Sequence, residues 1–163
     1  MIAETIKLSM VNSIKQGMIM KYLSDYMNDS QTVLFEETGT FFAYNDGQFK
    51  EGIEANKAKW GHIKKYRPCG SGMYCPSINT DKLIKGLDSI YTKAIEQDMT
   101  DNGKAGIIHR ELGNHEFCIT HDFTDTFAKL SDYPITEAEI RGEAKPYLKA
   151  YYAWEAKQES IYA

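Results

Sequence analysis

The segment Ile107–Asp125, IIHRELGNHEFCITHDFTD, concentrates the polar chemistry of the chain on an apolar frame. It holds three of the four histidines, four acidic residues and one of the three cysteines. Ile107, Ile108, Leu112, Phe117, Ile119 and Phe123 are threaded between them. Such spacing gives a helix a buried stripe, so a helix is expected from about Lys104 to about Ile119. Gly113-Asn114 falls in mid-pattern and predicts either a kink or a division into two helices.

Helical patterns flank this segment on both sides. Asn79 or Thr80 caps a helix carrying Leu83, Ile84, Leu87, Ile90, Tyr91, Ala94 and Ile95, which should stop near Asp101-Asn102-Gly103. Downstream, Phe123, Phe127 and Leu130 predict a short helix ending at Ser131-Asp132-Tyr133-Pro134. Thr136 with Glu139 forms a capping box for a terminal helix marked by Ile140, Ala144, Leu148, Tyr151, Tyr152 and Trp154. Pro146 lies inside it, and a kink is expected there.

The N-terminal half is mixed. Ile2, Ile6, Met10, Ile14, Met18, Tyr22 and Tyr26 recur every fourth residue and predict a first helix over 2–28, stopped by Asn28-Asp29-Ser30. Its methionines read as a plain core stripe or as a soft binding face. Thr32–Phe35 and Thr40–Tyr44 are β-branched and aromatic, and predict a hairpin. Asn45 then caps a helix, with Gln48 reaching back and Phe49 and Ile53 on its buried side, ending at Trp60-Gly61. Pro68–Pro76 is an irregular loop that closes in a third short strand around Met73–Cys75.

The expected fold is therefore α+β and predominantly helical, with about five helices and a small two- or three-stranded antiparallel sheet. The 163 residues fit one domain, 1–163, made of the first helix (2–28), the small sheet and helix (32–76) and a helical core (79–158).

Hydrophobic residues at 42% and charged residues at 26% are ordinary for a globular chain. Three cysteines without a repeating spacing argue against a disulfide framework. No basic n-region precedes an apolar run, and nothing approaches the roughly 18 apolar residues of a membrane span. A soluble, cytoplasmic protein that does not engage membrane is expected.

Charge is unevenly placed. Lys57–Arg67, KAKWGHIKKYR, has five Lys/Arg and no acid; taking those from the net −4 leaves −9 on the rest of the chain. Lys57, Lys59, Trp60, Lys64, Lys65, Tyr66 and Arg67 make the candidate binding surface, since cations pair phosphates and rings stack bases. A solvated lysine face at a helix end has the same pattern. Gly70-Ser71-Gly72 lacks the Gly-Lys-Ser/Thr end of a P-loop, and Cys69 and Cys75 are too few for a structural zinc site.

The central segment admits three chemistries and one structural reading. Glu111 and His115 stand one helical turn apart and, with His121 or Asp122, suit a metal that activates water. Gly113-Asn114-His115-Glu116 resembles the GNHE string of metallophosphoesterases, but the upstream Asp-x-His and the late histidines of that two-metal site are missing. His115 with Glu116 could act as an acid–base pair, though no nucleophile is evident beyond Cys118. The structural reading makes Asn114, His115, Glu116 and Thr120 a polar network that fastens loops to the central helix. No cofactor is implied.

Four strings also carry a family resemblance. FFAYNDGQFKEG at 41–52 is followed by Gly72-Met73-Tyr74-Cys75-Pro76, then Glu111-Leu112-Gly113-Asn114-His115-Glu116, then Thr120-His121-Asp122. Over roughly residues 40–140 this resembles a small family of uncharacterised proteins found mainly in bacteriophages and mobile elements. Gly113 stands where a helix-favouring Ala would be expected. The resemblance implies a phage-encoded accessory protein that binds a host macromolecule, such as an anti-CRISPR or other anti-defence inhibitor. The partner would be a host protein or ribonucleoprotein, with nucleic acid open through the basic patch and the oligomeric state undetermined. The alternatives are a small metal-dependent hydrolase or nucleotide-processing enzyme using Glu111, His115, Glu116 and Asp122, or a structural virion or assembly component.

Overall fold

The structure, a computed structural model, describes residues 20–162. These residues are mainly helical, with six helices and a small three-stranded antiparallel sheet. The α+β expectation holds. They form two compact units, residues 21–96 and residues 97–162.

The first unit opens with α1, Leu23–Thr38. Asp25 Oδ2 accepts the Tyr22 N–H at 2.7 Å, tying down one orphan donor at its start. Its last carbonyls are taken by side chains: Asn79 Nδ2 donates to Thr38 O at 2.9 Å and Asn56 Nδ2 to Gly39 O. The Thr38 hydroxyl donates back to Leu34 O at 2.7 Å.

Two expectations fail in α1. It runs straight through Asn28-Asp29-Ser30, and it includes Thr32–Phe35, so the predicted strand and its hairpin do not exist. The cause is tertiary. Leu34 is buried with Cys75 and Leu83, and the Phe35 ring meets Phe42 edge-on at 5.6 Å. Burial of that kind outweighs propensity differences of roughly a few tenths of a kcal/mol per residue. The expected first helix over 2–28 lies, before residue 20, outside the described residues.

The sheet is built from β1 (Phe41–Phe42), β2 (Tyr66–Pro68) and β3 (Met73–Pro76), ordered β1-β3-β2. Pairing Phe41 with Tyr74 and Arg67 with Cys75 fixes which side chains share a face. On one face Cys75 and Met73 pack with Leu34 of α1 and with Leu83 and Leu87 of α3 (Thr80–Asn114). On the other, Phe41, Tyr66 and Tyr74 pack against Phe49 of α2 (Asp46–Trp60). The sheet thus separates two helical layers, and glycines mark two close approaches, one of α2 to the sheet and one of α3 to α1. A Cβ on Gly52 would stand 2.2 Å from the Phe41 ring, and one on Gly86 would stand 2.6 Å from Leu34.

Helix α2 begins as its sequence predicts. Asn45 Oδ1 accepts the Gln48 N–H at 2.9 Å, while Gln48 Oε1 accepts from Tyr44 N at 2.7 Å. A 3₁₀ turn, Ser77–Asn79, leads into α3, Thr80–Asn114. Inside α3, Gly103 has φ 64° and ψ 168°, a backbone setting reserved for glycine. The expected stop at Asn102-Gly103 is therefore an interruption, after which the helix resumes.

The second unit holds the rest of α3 with α4 (Phe117–Thr120), α5 (Thr124–Leu130) and α6 (Glu137–Tyr162). The central helix ends at Asn114. Glu116 takes φ 52°, and α4 follows as a separate turn, which is the two-helix form of the expectation. Ile107, Ile108, Leu112, Phe117, Leu130 and Ile140 are buried. The capping box forms, with Thr136 N donating to Glu139 Oε2 at 2.7 Å and Glu139 N to Thr136 Oγ1 at 3.2 Å. Pro146 lies inside α6, and the helix continues past it to Tyr162. Lys104 of α3 meets Glu139 of α6 at 2.7 Å, and Arg141 of α6 lies over the stacked rings of Phe123 and Phe127 at 4.9 and 4.8 Å. Among the described residues no helix is long and apolar enough to cross a membrane.

Candidate functional site

Within the second unit, the polar residues of the central segment are not alone. Asp98, fully buried, receives both ends of the Arg110 guanidinium, Nη1 at 3.0 Å and Nη2 at 2.8 Å. The Tyr133 hydroxyl donates to the same carboxylate at 2.6 Å and Asn102 Nδ2 at 2.7 Å. Arg110 Nε donates to Glu111 Oε1 at 2.8 Å, and Asn114 Nδ2 to Glu111 Oε2 at 3.1 Å. Two carboxylates and one guanidinium are thus closed into a hydrogen-bonded core with its donors aimed inward.

The electrostatics agree with that geometry. Burial pushes the Asp98 carboxyl up, but the hydrogen bonds from Arg110, Tyr133 and Asn102 outweigh it and hold it below the usual carboxylate range. Burial and the Asp98 charge push the Tyr133 phenol well above its ordinary value. Asp98, Arg110 and Tyr133 were not singled out from the sequence. Asp98 sits before the Gly103 interruption and Tyr133 in a loop, so no spacing rule joins them to Arg110.

The predicted chemical residues are dispersed around this core. Glu111 is buried and already engaged by Arg110 and Asn114. His115 Nε2 stands 3.9 Å from Glu111 Oε2, too long for a hydrogen bond, with 28% of its side chain exposed. Glu116 and His121 are exposed, each at a positive φ that ends a turn. Asp122 is exposed and caps α5, accepting from Thr124 N at 2.9 Å and Thr124 Oγ1 at 2.7 Å; those bonds lower its pKa. Among the described residues no three His, Cys, Asp or Glu side chains gather as a metal ion would require, so Glu111, His115 and His121 are not brought together. Cys118 instead faces the phenols of Tyr147 and Tyr151; burial first, then Cys118, pushes Tyr147 up to about 12.

The basic segment, in the first unit, is spread over three local structures. Lys57, Lys59 and Trp60 finish α2, His62, Lys64 and Lys65 lie in the connection, and Tyr66 and Arg67 belong to the edge strand β2. Lys57 is paired with Glu54 at 3.5 Å, and Lys59 donates to Glu36 O at 3.1 Å while lying over the Trp60 ring. Lys64, Lys65 and Arg67 are exposed and have no ion pair among the described residues. Trp60 is 45% exposed. Tyr66 is the exception in this set. Its ring packs edge-on against Phe41 and Phe49, and its hydroxyl is buried without a hydrogen-bond partner among the described residues.

A family of unknown function (DUF7659) matches residues 23–154. The chain belongs to that family. The DUF7659 match takes in α1 through most of α6, and so reaches further in both directions than the 40–140 stretch that carried the resemblance in sequence. No curated protein and no solved structure matches the chain.

Proposed function

We propose that this DUF7659 member works by binding, and that its contact surface is the cationic strip around Lys64, Lys65 and Arg67, with Lys57, Lys59 and Trp60 at its margin. The observation that carries the reading is that three neighbouring cations are exposed and unneutralised on a chain whose remaining charge is strongly negative. A local positive field on an acidic molecule steers an anionic partner to one place and repels it elsewhere. Of the carboxylates in the central cluster, Asp98 and Glu111 are committed to Arg110 and Asp122 to a helix cap, which leaves those three little to offer a substrate.

The resemblance to phage and mobile-element proteins supports a host-directed role for that binding, with a host protein or ribonucleoprotein as partner and inhibition of host defence as the purpose. A pull-down from host lysate tests it when two baits are compared. The wild-type chain should retain a partner that the Lys64→Glu, Lys65→Glu, Arg67→Glu chain does not. Equal recovery by both baits, or none by either, would remove the strip from the account.

A further inference from the structure

Resting on the reading just given, we infer that the strip's partner is a single-stranded nucleic acid, held by phosphate contacts to Lys64, Lys65 and Arg67 and by one unpaired base stacked on Trp60. Tyr66 looks like a second exposed ring in the sequence, but its side chain is turned into the Phe41–Phe49–Tyr74 cluster. What is left outside is several cations and a single half-exposed indole.

That inventory is poor for a protein interface and suitable for a nucleic acid. Protein hot spots are Trp, Tyr and Arg side chains seated in desolvated pockets, and protein interfaces are depleted in lysine, whereas nucleic-acid interfaces are more polar and far more positive. One ring with cations on both sides in sequence is the arrangement that tracks a backbone and stacks a base. Lys59 adds to it, since its ammonium already lies 5.7 Å from the Trp60 ring centre. A base on a half-exposed ring has to be unpaired, which selects single strands over duplex.

The edge strand argues against a competing use of the same place. An added peptide strand would pair with β2, yet β2 is three residues long, carries Arg67 and ends in Pro68, features that discourage strand addition.

The chain has two tryptophans, Trp60 and Trp154, so Trp154→Phe leaves Trp60 as the single indole reporter. Titrating that variant with a single-stranded homopolymer oligonucleotide should quench its fluorescence and raise the anisotropy of the labelled strand. Three phosphate contacts predict a log–log salt slope of about −2. Lys64→Glu, Lys65→Glu, Arg67→Glu together should abolish binding, and Trp60→Ala should weaken it about ten-fold with the slope unchanged. Circular dichroism of each surface variant checks that it folds. Binding of polyglutamate with the same affinity, or strand binding without Trp60 quenching, would overturn the nucleic-acid inference while leaving the cationic strip as a binding surface. Absence of binding to the oligonucleotide and to any anionic polymer would overturn both.

Discussion

Asp98 and Arg110 face each other through two near-parallel hydrogen bonds, 3.0 and 2.8 Å long, in a part of the second unit where Asp98 has no exposed surface. Removing one partner of such a pair strands the other charge, which costs about 3–5 kcal/mol. Asp98→Ala should therefore lower unfolding free energy by about that amount in urea titrations. Arg110→Met strands both Asp98 and Glu111 and should cost at least as much, while Tyr133→Phe loses one hydrogen bond to a charge, about 1.5–3 kcal/mol. Destabilisation of less than about 1 kcal/mol by Asp98→Ala would mean that the network is not a structural keystone.

The pH dependence follows from the same groups. The folded Asp98 carboxyl titrates below its unfolded counterpart at roughly 3.9, so its contribution is present above that pH and is lost as pH falls through the folded value. Asp98→Asn should flatten the acid limb of a stability profile below about pH 4. At the alkaline end the sign reverses. Tyr147, raised to about 12, contributes fully below its unfolded pKa of about 10 and loses that contribution as pH climbs toward 12. Tyr147→Phe should make stability less sensitive to pH across that interval.

Two glycines make a paired test of packing. A methyl at Gly52 would enter the Phe41 ring, so Gly52→Ala should destabilise the chain by about 1–3 kcal/mol. Gly142, in the exposed part of α6, meets nothing within 4 Å, and Gly142→Ala should stabilise by about 0.5–1 kcal/mol. Thermal denaturation of both variants reads the difference. Similar behaviour of the two would show that α2 does not sit against the sheet as closely as described.

His115 is the residue on which an enzymatic reading would turn. Its ring is partly exposed and stands 3.9 Å from Glu111, so His115→Ala should change stability by less than about 1 kcal/mol. Metal analysis of protein purified without chelator should give the same result for the variant and the parent. Stoichiometric zinc, manganese or iron that disappears in His115→Ala would restore the metal-dependent alternative.

What could be seen in the sequence was local. Asn45 with Gln48, Thr136 with Glu139 and the Asn102-Gly103 break act over a few residues, and each is found where its spacing put it. Thr32–Phe35 misled because its β-branched and aromatic residues describe a local preference, whereas the helix is fixed by Leu34 meeting Cys75, 41 positions later. Strand β2 escaped notice because three residues hold no periodicity and lysines precede it. The polar segment at Ile107–Asp125 pointed to the right helix but named the wrong neighbours. Glu111 is engaged by its sequence neighbour Arg110, whose other partner, Asp98, lies beyond the Gly103 interruption. Tyr66 was misplaced for a related reason: a ring among lysines looks exposed until strand alternation turns it inward.

One comparison tests directly whether the exposed cations bind while the buried cluster only holds the fold. The salt needed to elute the protein from an immobilised polyanion would be measured for the wild-type chain, for Lys64→Glu, Lys65→Glu, Arg67→Glu, and for His115→Ala, Glu116→Ala. The account predicts retention of the wild type despite its net charge of −4, loss of retention in the first variant and wild-type elution in the second. Unchanged elution of the first variant, or loss of retention in the second, would contradict it.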